Sequence, residues 1–515
     1  MQTPQQAQVR SRAGKREWIA LGVLVLPLLL ASMDVSVLYF TIPFLSRDLA
    51  PTSTEQLWIL DIYGFVLAGM LITMGALGDR IGRRKLLLIG ALGFGLASTL
   101  AAYSTSAPTL IAARAVLGVA GATLMPSTLA LIRNLFHDEK QRGTAIAVWT
   151  AVMTSGIALG PVISGLLLEH FWWGSVFLIN IPAMVLLLVL GPVLLPEHRN
   201  PTAGRFDLLS AVLSIAAVLP VIWGIKEIAA HGLDVTRAAA IAAGLAIALV
   251  FVGRQQRHPD PMLDLSMLRR RAFAGSVAVS LLGTFALVGF AVFSTQYLQL
   301  VLGMSPLAGA LWSLVPSVGV GAAAPLGAHL AKRGVDRAKI MAAGFGVAAV
   351  GFVVLTTIPV RSGLVTLLIG AGIYAAGLVV VMSLATELVM GTVPPERAGA
   401  SSALMETASE FGGALGIAIL GSIGTAVYRA HLHGAVDAAR ETLSGAVATA
   451  VQLPTPAGTA LLTAARTAFV TSLHVAAWVL AAAMLLSAVL TVMLLRGVRV
   501  PVEGSTSEPV AAFDR

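Results

Sequence analysis

Three acidic residues stand in segments that are otherwise apolar. Asp34 is the only charged residue in segment 20–45, and Glu406 and Glu410 lie in the apolar segment 397–428. A carboxyl group held away from water tends to bind a proton or a cation. Because positions i and i+4 share a helix face, Glu406 and Glu410 should lie about 6 Å apart, so that one of them holds a proton. The pattern indicates a proton or cation site; structural hydrogen bonds are the alternative.

Two further ionisable residues interrupt apolar segments. Asp61 follows Trp58 near one end of its segment, where it either lines a vestibule or is a solvated acid at the membrane interface. Arg114 must be paired if it is buried, so it either positions a carboxylate or forms a purely structural ion pair. Glu227 follows Lys226 near the end of another segment, which suggests either a local ion pair between these neighbours or a pair whose side chains extend to the membrane surface.

The chain around these residues is too apolar for a soluble protein. It has 515 residues, of which 57% are hydrophobic and only 11% are charged, and its mean hydropathy is +0.87. Soluble domains carry about 25% charged residues. The sequence contains no cysteine, which excludes disulfides and thiolate metal sites. This composition predicts an integral membrane protein.

Fourteen apolar runs are long enough to cross a bilayer, which takes roughly 20 residues in a helix. Helices are expected because backbone in contact with lipid must satisfy its own hydrogen bonds. The runs lie near residues 18–45, 55–77, 86–104, 108–132, 141–168, 174–195, 207–229, 236–253, 272–299, 306–330, 338–358, 363–389, 397–428 and 467–495. The sequence therefore predicts an all-α integral membrane fold with 14 transmembrane helices.

The basic residues alternate between the two sides of this predicted topology. Most of them fall in every second connection, including 78–85, 254–271 and 332–339, and few fall in the others. Basic loops remain in the cytoplasm, so both termini are predicted to be cytoplasmic. The net charge of +9 is thereby explained by topology, and nucleic acid is not needed as a partner.

The sequence also indicates two related halves, because the turns 75–85 and 327–339 are both short, basic and glycine-containing. Internal repeats of this kind are common in transporters. The predicted units are a cytoplasmic N-terminal tail (1–17), an N-terminal six-helix bundle (18–200), two inserted transmembrane helices (201–258), a C-terminal six-helix bundle (259–500) with an outer loop (429–466), and a cytoplasmic tail (501–515). The outer loop is expected either on the membrane surface or as a hairpin.

Two segments combine glycine with charge or with proline. In the turn GALGDRIGRRK the glycines permit a tight bend, although anchoring by its arginines is the simpler interpretation. Its candidate residues are Gly75, Gly78, Asp79, Arg80, Gly82, Arg83 and Arg84. The segment GIALGPVISG predicts a thin, bendable helix face for close packing. Its candidate residues are Gly156, Gly160, Pro161 and Gly165.

Together these motifs resemble those of the major facilitator superfamily. GALGDRIGRRK (75–85) is similar to its signature between helices 2 and 3, and RAVLGVAGA (114–122) to its helix 4 signature. GIALGPVISG (156–165) is similar to the antiporter signature of helix 5, with Ser164 replacing one of its paired glycines. The 14 spans and the segment MDVSVLYFTIP (33–43) resemble most the fourteen-helix drug:proton antiporters that export quaternary ammonium compounds and dyes.

The resemblance implies two six-helix bundles, with two inserted helices beside them, that alternate access to a central cavity. Lipophilic cations and protons would be the partners, the proton gradient would drive export, and no cofactor or metal would be used. The protein would be a monomer in the bacterial inner membrane. The residues implied in proton coupling and substrate binding are Asp34, Asp61, Arg114, Glu406 and Glu410. The turn 75–85 would act as a conformational switch, and span 10 lacks the acid that some relatives carry there, which argues against divalent drugs.

Other functions remain compatible with the sequence. An exporter of an endogenous antibiotic or of a lipid-like metabolite would share all these features. A non-transporting membrane sensor is less favoured, because such proteins typically carry an added soluble domain. A membrane enzyme is also disfavoured, because the nine histidines are scattered and neither a phosphate-binding glycine loop nor a nucleophile set is present.

Overall fold

Long helices form the architecture, as expected for backbone that must satisfy its hydrogen bonds within lipid. The computed structural model describes residues 13–197, 207–258, 269–392, 398–432 and 437–495. The predicted C-terminal tail (501–515) and most of the N-terminal tail (1–17) lie outside these residues.

The helices follow the predicted order of the apolar runs. The N-terminal part contains α1 (Lys15–Leu49), α2 (Ser53–Ile81), α3 (Arg83–Ala102), α4 (Ala107–Leu135), α5 (Glu139–His170), the short α6 (Ser175–Leu178) and α7 (Asn180–Leu194). The inserted pair is α8 (Leu208–His231) and α9 (Val235–Arg257). The C-terminal part contains α10 (Arg271–Gln296) with a π-helical turn (Tyr297–Val301), α11 (Pro306–Lys332), α12 (Arg337–Leu355), α13 (Leu364–Thr392), α14 (Ala398–His431), α15 (Asp437–Glu441), α16 (Leu443–Gln452) and α17 (Thr455–Leu495).

Twelve helical spans in the described ranges are long and apolar enough to cross a membrane. Helix α2, which bends by 53° between Leu71 and Thr73, raises this number to 13. Helix α11, 27 residues long, occupies the tenth predicted run. Each predicted run therefore coincides with helix, and the total of 14 crossings stays a prediction.

Two large cores, with three smaller apolar clusters beside them, hold the described helices together. The larger cluster of buried apolar side chains comes mainly from α1–α7, and the second comes from α10–α17. The predicted domain boundaries at 200/201 and 258/259 fall at or beside segments that the structure does not describe, so these boundaries remain predictions.

The connection between α14 and α17 is shorter than the predicted outer loop 429–466. Helix α14 continues to His431 and α17 already begins at Thr455. Between them, Leu443 and Ala446 of α16 are buried, and the Tyr428 hydroxyl donates to the Ala439 carbonyl at 3.0 Å. The described part of this segment is therefore helical and folds against the outer ends of the bundle.

The inserted pair α8–α9 is held together by Asp207 at the helix ends that are predicted to be cytoplasmic. This residue caps α8 by accepting from the Ser210 backbone N–H at 3.0 Å, and it accepts from Arg254 of α9 at 2.9 Å. Partial burial opposes the charge of Asp207, but the hydrogen bonds from Ser210 and Arg254 outweigh it and lower the pKa of Asp207 to about 2. The two helices therefore stay linked at neutral pH.

Helix α5 packs closely on α1 through two glycines of the segment GIALGPVISG. A Cβ added at Gly156 would lie 2.7 Å from the Leu29 carbonyl oxygen, and one added at Gly160 would lie 3.0 Å from the Met33 carbonyl oxygen. Pro161 lies within the same helix. The thin face predicted from the sequence thus lies against the backbone of α1, near the level of Asp34.

Gly156→Ala should destabilise the protein by about 1–3 kcal/mol, because the added methyl meets backbone that cannot move aside. Gly143 provides a matched control on the same helix, since a Cβ there meets nothing within 4 Å. Gly143→Ala should be neutral or stabilising by about 0.5–1 kcal/mol. The two variants are compared by heating each in detergent and measuring the fraction of protein that remains monodisperse. Equal stability would contradict the close packing.

Candidate functional site

A buried ion pair joins Asp34 of α1 to Arg114 of α4 in the interior of the N-terminal bundle. Arg114 donates from Nη1 to Asp34 Oδ2, and each side chain is only 1% exposed. The guanidinium also donates from Nε to the Ile59 carbonyl at 3.0 Å and lies 4.9 Å from the ring centre of Tyr63. A single arginine therefore connects α1, α2 and α4, and the predicted pairing of a buried Arg114 is present.

Two buried oxygen atoms at this pair lack hydrogen-bond partners among the described residues. They are Asp34 Oδ1 and the Tyr39 hydroxyl. A buried polar atom without a partner costs free energy, and such atoms tend to be retained where something binds. The hydroxyl of the neighbouring Tyr63 is engaged, donating to the Ala31 carbonyl at 3.2 Å. Asp34 thus keeps one free acceptor, and the Tyr39 hydroxyl on the same helix is a second unpartnered polar atom.

Glu406 and Glu410 differ from Asp34 because no counter-charge among the described residues reaches them. Both lie on α14 and are only partly buried. Among the described residues neither carboxylate has a hydrogen-bond or ion-pair partner. The interaction between Glu406 and Glu410 is repulsive. The predicted pair of neighbouring acids is therefore present, and it is electrically uncompensated.

The acid pair lies beside the Asp34–Arg114 pair, across the contact between α2 and α14. A Cβ added at Gly64 of α2 would lie 3.3 Å from Ala414 Cβ and 3.9 Å from the Glu410 carbonyl oxygen. Tyr63, which precedes Gly64, is in electrostatic range of both Asp34 and Glu410. The fold thus brings together acids that are separated by more than 370 residues in the sequence.

Asp61 occupies a different environment from the one that the sequence suggested. The Lys226 amino group of α8 lies 2.8 Å from Asp61 Oδ1 and 2.7 Å from Oδ2, and neither side chain is exposed. The same amino group lies 3.7 Å from the ring centre of Trp58. The predicted local pair of Lys226 with Glu227 is wrong, because Glu227 pairs instead with His231 at 3.0 Å.

Sequence reasoning thus missed Lys226 as a site residue, although a signal was available. A lysine inside an apolar span is as costly as an aspartate there and needs a counter-ion. Its neighbour Glu227 could not serve, because residues i and i+1 point to different sides of a helix. An unmatched acid elsewhere in the membrane, such as Asp61, was the better candidate partner.

The turn between α2 and α3 makes its contacts within the N-terminal bundle. Arg83 donates from Nε to Asp79 at 2.9 Å, and Arg84 donates to the Leu195 carbonyl at 3.0 Å. Gly82 has a φ of +109°, and an added Cβ would overlap the Glu197 carboxylate. Arg80 is exposed, whereas Gly75 and Gly78 belong to the last turns of α2. The role of this turn as a conformational switch stays a prediction.

The polar contacts between the two bundles lie at the end of the described helices that is predicted to face outward. Ser53, at the start of α2, donates from its backbone N–H and its hydroxyl to Glu441 at 2.9 and 2.8 Å. Ser305, before α11, donates to Glu169 of α5 at 2.7 Å. Near this contact, a Cβ added at Gly165 would lie 2.7 Å from Leu307 Cα. An outer side closed in this manner is expected of an inward-facing conformation.

A small apolar cavity lies where the inserted pair meets α2 and α14. Its volume is about 120 Å³. Three phenylalanines, Phe65, Phe251 and Phe411, contribute to its walls, together with Thr407. Thr407 follows Glu406 directly in α14, so the apolar cavity and the uncompensated acids lie on adjacent faces of one helix.

Removal of one partner from the Asp34–Arg114 pair should be more harmful than removal of both. Arg114→Gln leaves a buried carboxylate without its counter-ion, which costs about 3–5 kcal/mol. The double variant Asp34→Asn/Arg114→Gln leaves no net charge and should recover much of this loss. The thermal stability in detergent is measured for the wild type, for both single variants and for the double variant, which completes a double-mutant cycle. Strictly additive losses would contradict a direct interaction.

Comparison with known proteins identifies the family. The sequence matches the model described as Major Facilitator Superfamily over residues 24–417. The multidrug efflux pump LfrA of Mycolicibacterium smegmatis is 44% identical over 473 residues, which cover 89% of this chain and 92% of that protein. The methyl viologen resistance protein SmvA of Salmonella typhimurium is 35% identical, over 90% of this chain and 94% of that protein. These matches confirm the resemblance seen in the signature motifs.

A solved structure supports the same assignment at the level of the fold. A bacterial homologue of the human lysosomal transporter Spinster, in an inward-facing and unoccupied conformation, aligns with a TM-score of 0.63. The alignment covers 94% of this chain and 99% of that chain at 16% sequence identity, so it concerns the fold alone. Together with the family match, it shows that the chain is a multi-pass membrane protein and belongs to the Major Facilitator Superfamily.

Proposed function

We propose that the protein is a proton-coupled antiporter that exports lipophilic cations, among them quaternary ammonium compounds, dyes and cationic antibiotics. The observation that carries this proposal is the uncompensated acid pair, Glu406 and Glu410, at the contact between the two bundles. The names of the relatives LfrA and SmvA, a multidrug efflux pump and a methyl viologen resistance protein, support an efflux function.

The charge balance of the site explains why a cation is the favoured substrate. The charge of Asp34 is matched by Arg114, and that of Asp61 by Lys226. Glu406 and Glu410 have no such partner among the described residues. Two carboxylates this close lower their repulsion by binding a proton or a cation. The acid pair therefore offers a charge that either ligand can satisfy.

Competition for this charge couples export to the proton gradient. In the inward-facing state, a cation that binds from the cytoplasm displaces a proton from the acid pair. In the outward-facing state, a proton from outside displaces the cation. Each positive charge that moves outward against 100 mV costs about 2.3 kcal/mol, so the proton gradient must supply that work.

The lipophilic part of the substrate has a place beside these acids. Phe65, Phe251 and Phe411 offer aromatic surface in the cavity next to α14. Aromatic rings bind apolar groups and also attract cations held near their faces. A compound with an apolar body and a delocalised positive charge fits both features at once.

Removal of the acid pair should abolish cation export driven by a pH gradient. In proteoliposomes loaded with ethidium, Glu406→Gln and Glu410→Gln should each lower this transport by about tenfold or more, since a charge-assisted contact contributes roughly 1.5–3 kcal/mol. Asp34→Asn should also impair it. Glu387→Gln is the control, because Glu387 pairs with Arg337 on the protein surface.

Normal transport by both glutamine variants would contradict the coupling role of the acid pair. Transport of uncharged compounds by the wild type, with no movement of ethidium, would replace the drug-cation function by export of a neutral antibiotic or a lipid-like metabolite.

Alternating access predicts that the outer contact between α5 and α11 must open during transport. The chain contains no cysteine, so Glu169→Cys/Ser305→Cys introduces the only pair of thiols. A short thiol-reactive cross-linker should stop transport in this variant, and cleavage of the linker should restore it. The control, Arg337→Cys/Glu387→Cys, bridges two helices of one bundle and should remain active after cross-linking. Full activity with the outer contact cross-linked would contradict rocking of the bundles.

A further inference from the structure

The inserted helix pair contributes one charged group to the interior of the N-terminal bundle. Lys226 of α8 reaches Asp61 of α2 with both carboxylate oxygens within 2.8 Å of its amino group. The ring of Trp58 covers the same amino group at 3.7 Å. Neither charged side chain has any exposed surface, so the pair is closed to solvent.

The other charged groups near Asp61 do not compete for it. Arg114 approaches from α4, but its donors are used by Asp34 and by the Ile59 and Leu60 carbonyls of α2. Glu410 approaches from α14 at the level of Gly64 and forms no bond with Asp61 or Lys226. Asp61 therefore has one counter-ion in the described structure, and that counter-ion comes from outside the two bundles.

Helix α8 is held in the position that presents Lys226. Near its outer end, the Ala230 carbonyl accepts a hydrogen bond from Arg429 of α14, and the same arginine is bound to Glu441. A Cβ added at Gly69 of α2 would lie 2.8 Å from Ile215, so α8 also lies tightly against α2. Contacts on both sides of Lys226 along α8 therefore hold this helix in place.

We propose that the ion pair with Lys226 prevents Asp61 from binding protons or cations, so that Glu406 and Glu410 are the acids that bind the charged group of the substrate. This inference rests on the proposed function, and it reverses the expectation that Asp61 takes part in proton coupling. A buried ion pair is electrically neutral as a unit, and removal of either partner leaves an uncompensated buried charge, so neither partner is exchanged at low cost. The inserted helices then supply a counter-ion, Lys226, which reduces the number of acids that are free to bind a proton or a cation.

The decisive variant removes both charges of the pair. Asp61→Asn/Lys226→Gln should keep proton-driven ethidium transport within about twofold of wild type, because no coupling charge is lost. Its pH profile of ethidium transport should also match that of the wild type. A loss of coupling comparable to that of Glu406→Gln would overturn the proposal.

A second variant separates a loss of transport from a failure to fold. Asp61→Lys/Lys226→Asp reverses the pair while preserving its neutrality, and it should fold and transport like wild type if the acid has no role of its own. Failure of both paired variants to accumulate, while each single variant accumulates normally, would also overturn the proposal, since the pair could not then be a replaceable neutral unit.

A proton titration separates this inference from the proposed function. Between about pH 5 and pH 9, where perturbed carboxyl groups titrate, purified wild type and Asp61→Asn/Lys226→Gln should bind the same number of protons. Fewer protons bound by the variant would show that Asp61 is a proton site and would refute the proposed role of Lys226. This result holds even if the wild type transports no cation, in which case only the proposed function fails.

Discussion

Every charge buried in a membrane needs a counter-charge, and the pairing of Arg114 with Asp34 is the interaction on which the centre of this protein depends. The arginine binds the carboxylate of α1 and two carbonyl groups of α2 from its place on α4. The helices can approach closely enough because α4 carries glycine where it meets Tyr63. A Cβ added at Gly121 would lie 2.9 Å from the Tyr63 hydroxyl.

The same rule of compensation divides the acids of the membrane interior into two kinds. Asp34 and Asp61 are matched by basic partners and can remain charged without a ligand. Glu406 and Glu410 are not matched among the described residues, so a counter-charge for them would have to come from a bound proton or cation. The proposed exchange of cations for protons depends on this difference, because a site with all its charges paired would offer no free charge to either ligand.

The sequence predicted the positions of the buried charges but not all of their partners. A lone acid in an apolar run, such as Asp34, is conspicuous without any structure, and so is the i, i+4 spacing of Glu406 and Glu410. The pairing of Asp61 with Lys226 bridges 165 positions and depends on where the inserted helices pack. No local pattern carries that information, and the adjacent Glu227 offered a misleading alternative.

The helix order was predictable for a related reason. Lipid forces continuous backbone hydrogen bonding, so apolar runs become helices whatever their neighbours are. The segment 429–466 could not be predicted in this way because it is Ala-rich and only weakly amphipathic, so its helices depend on packing against the rest of the protein. The bend of α2 was equally hidden, since no proline marks it.

Proton release on cation binding tests most directly whether Glu406 and Glu410 are the exchanging groups. Purified protein in weakly buffered detergent solution is mixed with ethidium, and a pH indicator reports the protons released per cation bound. Wild type should release protons, and Glu406→Gln/Glu410→Gln should release almost none although its two buried ion pairs are intact. Undiminished proton release by that variant would contradict the account and would move the exchange to Asp34 or Asp61.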